Sequence, residues 1–153
     1  MSNKAVMMLD IESGVINTHI RLETRPDRFW ISERQQLLYI LNELRSQISV
    51  YSLDHPGLLS QIPLGEFRGE MVFDAKSDRL YVALNDQTVQ VIDLALFRSL
   101  GYVSVKQDID VMHLNIADEQ LWVQEANNHV VSVVDLKNHE IIKQMGPSNE
   151  NDR

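Results

Sequence analysis

Several sets of residues in this 153-residue chain have types and spacings that could do chemistry. Aspartates stand at 10, 93 and 135, and a ring of carboxylates could hold a metal ion or supply an acid. Ser52 stands 42 residues after Asp10 and 41 before Asp93, however. A serine hydroxyl closes a backbone turn as an aspartate does but is a poorer metal ligand, so these four positions read as turn residues. The histidines are His19, His55, His113, His129 and His139, and no two have the three- or four-residue spacing of a helical zinc pair. They read as structural: His55 in a turn before Pro56-Gly57, and His113 on an inner strand. Trp30 and Trp122 could form a stacking platform, but they read as core. The triplets Glu23-Thr24-Arg25, Glu43-Leu44-Arg45 and Glu66-Phe67-Arg68 each place an arginine in a predicted loop. Arg25, Arg45 and Arg68 could grip a carboxylate or an acidic peptide bidentately. The competing reading is solvated turns with paired charges of little energetic weight. These three are the candidate ligand-binding residues. No catalytic or metal residue and no cofactor is expected, since G-x-S-x-G, H-E-x-x-H and Gly-rich phosphate loops are missing.

The elements that position these residues follow from an internal repeat. Val6-Met7-Met8-Leu9-Asp10-Ile11, Ile48-Ser49-Val50-Tyr51-Ser52-Leu53, Val89-Gln90-Val91-Ile92-Asp93-Leu94 and Val131-Ser132-Val133-Val134-Asp135-Leu136 share one pattern. Their fifth positions are 10, 52, 93 and 135, so the steps are 42, 41 and 42. Leu38-Tyr39-Ile40, Leu80-Tyr81-Val82 and Leu121-Trp122-Val123 form a second column with aromatics at 39, 81 and 122. Ile31, Phe73 and Leu114 form a third, and Ile20, Ile62, Val103 and Met145 a fourth. Short runs of Val, Ile, Leu and Tyr between polar turn clusters are β-strand patterns, and no segment sustains a 3.6-residue period. Four strands, A to D, in a repeat of about forty-two residues is the arithmetic of a β-propeller blade. The expected fold is all-β, a partial propeller of four-stranded antiparallel blades, with helix content near zero. In the clearest unit, strand A is expected over Glu70–Asp74, B over Arg79–Leu84, C over Thr88–Leu94 and D over Arg98–Val105.

Leu80-Tyr81-Val82-Ala83-Leu84-Asn85 followed by Val89-Gln90-Val91-Ile92-Asp93, with Ser77-Asp78 before Arg79, resembles the YVTN family of β-propeller repeats. The first complete unit departs from the family pattern at Ser52 and at Glu33-Arg34-Gln35, and the third has Trp122 for tyrosine. The resemblance implies a propeller fold and no particular activity. A quinoprotein-type site is not implied, because Trp30 and Trp122 fall on different strands of the repeat.

One propeller-type domain is expected over residues 1–145, with a half blade at 4–22, blades at about 27–64, 70–105 and 110–145, and a polar tail at 146–153. A formal net charge of −8 disfavours nucleic acid and anionic membrane as partners. The chain has no cysteine, which excludes disulfides and thiolate chemistry. The opening residues resemble no signal peptide, so the sequence as written reads as cytoplasmic, or extracytoplasmic if residues precede it. Three and a half blades fall short of a closed ring, so the expected partners are itself, as a homodimer or larger, or a remainder of the propeller. A protein or peptide is a further expected partner, met by the loops, and the hairpin's exposed face is expected around Val6, Met8, Ile16 and Ile20. The expected function is a non-enzymatic interaction or assembly module. The alternative is part of a larger lactonase-like or quinoprotein-like propeller enzyme whose active site lies in other blades.

Overall fold

A computed structural model describes residues 4–22, 25–55, 57–127 and 129–146. The side chain of Arg68, together with Glu23 and Thr24 of the first loop triplet, lies outside the described residues. The strands are β1 (Ala5–Leu9), β2 (Ile16–Arg21), β3 (Arg28–Ser32), β4 (Leu37–Asn42), β5 (Gln47–Ser52), β6 (Leu58–Pro63), β7 (Phe67–Asp74), β8 (Arg79–Leu84), β9 (Thr88–Asp93), β10 (Arg98–Ser104), β11 (Ile109–Asn115), β12 (Gln120–Glu125), β13 (Val131–Asp135) and β14 (Ile141–Met145). The helical content described is one 3₁₀ turn, Glu43–Arg45. Strands β3 to β6, β7 to β10 and β11 to β14 form three four-stranded sheets in sequential order, and β1 and β2 form a two-stranded hairpin. Neighbouring strands pair antiparallel. The fold is all-β, with the four-stranded blades of a partial propeller.

The repeat also governs the turns. Left-handed backbone recurs at Gln36, Asp78 and Glu119 between strands A and B, and at Gly14, Phe97 and His139 between C and D. Only at Gly14 is the residue there one without a Cβ to strain. The recurring carboxylates close the turn after strand C. Asp10 Oδ1 accepts from the backbone of Ser13 at 2.7 Å, Asp93 Oδ1 from Leu96 at 2.9 Å, and Asp135 Oδ1 from Lys137 at 2.7 Å. Ser52 Oγ does the same for His55 at 3.1 Å. These bonds to the ionised form hold the carboxyls of Asp10 and Asp135 below their ordinary pKa.

The chain forms two compact units, residues 1–64 and 65–153. In the first, Val6, Met8 and Leu22 of the hairpin segment pack on a cluster of Ile20, Leu38, Ile40, Tyr51 and Leu53. In the second, Tyr81, Ala83 and Val91 of the β7–β10 blade meet Met112, Leu121, Val123 and Val134 of the β11–β14 blade. Strands β5 and β9 are buried on both faces, which is why their sequences are nearly continuous apolar runs.

Three expectations need correction. Strand A of the second blade begins at Phe67 rather than Glu70, because an irregularity between Phe67 and Met71 lets pairing with β8 continue. Arg68 therefore lies in a strand, not in a loop. Trp122 is not core: Tyr39 and Tyr81, its column-mates, are 0% exposed, whereas Trp122 is 37% exposed. The reason is positional. The face of β8 that carries Tyr81 packs on the following blade, and the matching face of β12 has no following blade among the described residues. Thirdly, Val6, Met8 and Ile20 do not form the hairpin's outer face. They point into the core of the first unit, and the outer face is Met7 and Leu9 with Ile16, the one residue of the expected set that lies there.

Candidate functional site

Within each blade the turn from strand B to strand C leans on the loop that precedes strand A. Asn85 N donates to Glu66 O at 2.9 Å, Ala126 N to Asp108 O at 2.7 Å, and Glu43 N to Asp27 Oδ2 at 2.9 Å. These two loops therefore open at the same end of a blade. In the first unit they enclose a concavity of about 490 Å³ lined by Lys4, Arg25, Asp27, Asn42, Leu44 and Arg45. Its floor is fixed by local bonds. Asn42 caps the 3₁₀ turn by accepting from Arg45 N at 2.9 Å, and Ser46 follows in left-handed conformation at φ 47°. Two of the three arginines singled out from sequence thus share one concavity, joined by Lys4, with Asp27 as the one carboxylate among its lining residues. Arg68 belongs to the second unit.

Among the described side chains the basic character does not repeat in the next blade. The corresponding concavity of the β7–β10 blade, about 250 Å³, is lined by Gly65, Glu66, Leu84, Asn85 and Asp86. Three like charges drawn to one place favour an anion there, and an arginine pair suits the planar geometry of a carboxylate.

A second cluster was not legible in the sequence. At the other end of the second unit's blades, Asp74, Lys76, Ser77, Arg79, Glu119 and Lys137 line a concavity of about 370 Å³. Arg79 Nη1 donates to Leu136 O at 2.8 Å and lies 3.4 Å from His139 Nε2. Lys137 Nζ is 2.7 Å and Lys76 Nζ 3.6 Å from the Glu119 carboxylate. Its members come from turns of two blades, 57 and 60 residues apart for the Arg79 contacts, so no local spacing announces them. Glu119 takes both lysines and Arg79 reaches across to Leu136, which makes this a brace between blades. His139 is edge-on to Tyr81 at 6.5 Å.

Burial, and then the Arg79 guanidinium, push the His139 pKa below its ordinary value. The unfolded chain then binds this proton more readily than the folded one, so stability is present above the unfolded pKa and falls as pH drops through it. Urea midpoints measured between about pH 5 and pH 7 are expected to rise with pH, and His139→Asn, which tolerates the left-handed backbone, is expected to flatten that slope.

No group of three or more His, Asp or Glu with metal-site geometry occurs among the described residues. No helix among them is long and apolar enough to cross a membrane. The fold and these loop-lined concavities define a propeller-type chain. No protein-family model matches it, and no curated protein does. Solved structures match at the level of fold. The Kuenenia stuttgartiensis hydrazine synthase superposes with a TM-score of 0.72 at 13% identity, over 94% of this chain and 43% of that one. The dihydro-heme d1 dehydrogenase NirN in complex with DHE gives 0.75 at 16% identity, over 97% of this chain and 34% of that one. This chain therefore spans less than half the length of either.

Proposed function

We propose that this chain is a non-enzymatic interaction and assembly module built from YVTN-type repeats. It joins further copies of itself through its two outermost blade faces and offers Lys4, Arg25 and Arg45 to an acidic group on a protein or peptide. The observation that carries the assembly reading is that those outermost faces keep core-type side chains in solvent. On the hairpin these are Met7 and Leu9, 59% and 57% exposed, with Ile16; on the last blade they are Val111 and Trp122. The three complete blades bury the Leu9 column completely or nearly so, at Tyr51, Ile92 and Val134. The two faces differ, so their union is head-to-tail, which closes a ring or propagates. A lysine at the centre of such a face leaves a buried charge in the joint. Leu9→Lys or Trp122→Lys is therefore expected to lower the mass measured by light scattering while the strand signature in circular dichroism persists. Unchanged mass in both variants would count against the reading.

The acidic-ligand part rests on the concavity of the first unit. A Glu-rich peptide is expected to bind with an affinity that falls steeply with salt, and Arg25→Ala with Arg45→Ala is expected to remove most of it. A salt-independent affinity, or one untouched by the double substitution, would contradict this; Arg68→Ala tests the third arginine.

A second reading is favoured by the coverage. The two structures are a synthase and a dehydrogenase by name, and each chain is more than twice as long as the part matched. On that reading these blades belong to a larger propeller enzyme and the chemistry lies in other blades. A reading frame that continues the blade repeat beyond these residues would establish it.

A further inference from the structure

Arg79 departs from the repeat. Its column carries Leu37 in the β3–β6 blade and Gln120 in the β11–β14 blade, each paired with the last residue of strand A, Ser32 and Asn115. Arg79 pairs in the same way with Asp74. A fold that accepts leucine or glutamine here does not require an arginine. The residue is half-buried, and a cation withdrawn from water is costly unless a counter-charge answers it. None does so among the described residues. Arg79 Nη1 donates to Leu136 O at 2.8 Å and meets His139 Nε2 at 3.4 Å, and no carboxylate lies within ion-pair distance. The carboxylates of the same concavity are engaged elsewhere. Asp74 accepts from Lys76 N and from Ser77 Oγ, and Glu119 takes Lys76 and Lys137. With Lys76, Arg79 and Lys137 against Asp74 and Glu119, the lining carries one positive charge in excess.

A second group is short of a partner. The Tyr81 hydroxyl is buried beside Arg79 and Asp74 and makes no hydrogen bond. In the β3–β6 blade the hydroxyl of Tyr39, its column-mate, donates to Gln35 Oε1 at 2.8 Å. The position four residues before Tyr81 is Ser77, whose shorter side chain is turned to Asp74. A buried hydroxyl without an acceptor costs stability, and it calls for one.

We propose that this concavity, between the A–B turns of the second unit's two blades and the C–D turn of the last, binds a small organic monocarboxylate with an apolar tail. The carboxylate lies side-on along the Nε–Nη2 edge of Arg79, the edge that Leu136 and His139 leave open. Directly or through a water it accepts a hydrogen bond from the Tyr81 hydroxyl. The tail lies on Leu136 and Ile116, the apolar members of the lining. One excess positive charge suits one carboxylate, and Glu119 repels a second. At about 370 Å³ the space is at the small end of ligand sites, which span roughly 300–1,000 Å³. The acidic-peptide and assembly readings use none of these residues, so the site stands or falls apart from them.

The test is an NMR titration of the isotopically labelled full chain with isovalerate, with isovaleramide as its neutral isostere, and with succinate and inorganic phosphate. Saturable shifts at Ile116, Leu136 and the Arg79 side chain are expected with isovalerate. The amide, succinate and phosphate are expected to bind at least about tenfold more weakly. Arg79→Gln is expected to abolish binding. Because Arg79 also braces the blades, Arg79→Lys serves beside it: lysine keeps the charge but lacks the fork, and a loss of at least about tenfold is expected. Tyr81→Phe is expected to raise the urea midpoint of the ligand-free chain, since an unpaired hydroxyl leaves the core, and to weaken isovalerate several-fold. A merely structural hydroxyl would move the midpoint alone, so unchanged affinity in Tyr81→Phe would overturn its part in the site. The proposal itself is overturned by no saturable binding, by amide, succinate or phosphate binding as tightly as isovalerate, by full affinity in Arg79→Lys, or by shifts confined to the Arg25–Arg45 concavity.

Discussion

Tyr81→Ala is expected to unfold the protein or bring it to the edge of unfolding. Tyr81 is fully buried between two blades of the second unit, where it packs with Leu121, Val123 and Val134. Emptying such a site removes the transfer free energy of the ring and leaves a cavity that rigid strands on both sides refill poorly, a cost of about 3–5 kcal/mol. In a domain of this size that lowers Tm by roughly 6 °C or more. Trp122 occupies the same column of the repeat, yet Trp122→Ala is expected to cost much less, because its face is open to solvent. Thermal unfolding of the two variants side by side checks this. Equal losses would mean that the last blade is covered in the protein as it stands in solution.

Leu94→Ala is expected to be the next most damaging change. Leu94 is buried, and its N–H donates to Asp78 O at 2.8 Å where strand C meets the start of strand B. Truncation of a buried leucine costs about 2–5 kcal/mol. Ile11 is its counterpart in the hairpin and loses almost nothing on truncation, since nothing covers it. Chemical denaturation of Leu94→Ala and Ile11→Ala separates the two. A large loss in Ile11→Ala would show that β1 already has a neighbour on its open edge.

Much of this architecture was legible because burial in stacked blades repeats with the blade. Columns of apolar residues forty-one or forty-two apart located the strands, and strand B of the second blade matches its expected bounds, Arg79–Leu84. What a column does not reveal is its neighbour. Tyr81 and Trp122 look alike in sequence but differ in exposure, because within the second unit another blade follows Tyr81 and none among the described residues follows Trp122. On β1 the outer face lies one residue out of phase with the expected one for a related reason. With Val6, Met7, Met8 and Leu9 all apolar, alternation marks no face, and only packing against Leu38 and Ile40 selects Val6 and Met8. At the candidate site, the triplets pointed to Arg25 and Arg45, and the shared end of the D–A and B–C loops brings both into one concavity. Lys4 was missed because it approaches from the hairpin segment, and the Arg79–His139 brace because its partners are far apart in sequence.

The central claim is that these blades are completed by others. Sedimentation equilibrium of the unmodified chain at micromolar concentration tests it most directly. The account predicts a species of at least twice the 17.6 kDa chain mass, with dissociation on introducing Leu9→Lys or Trp122→Lys. A stable, well-folded species at 17.6 kDa, with no tendency to associate, would contradict it.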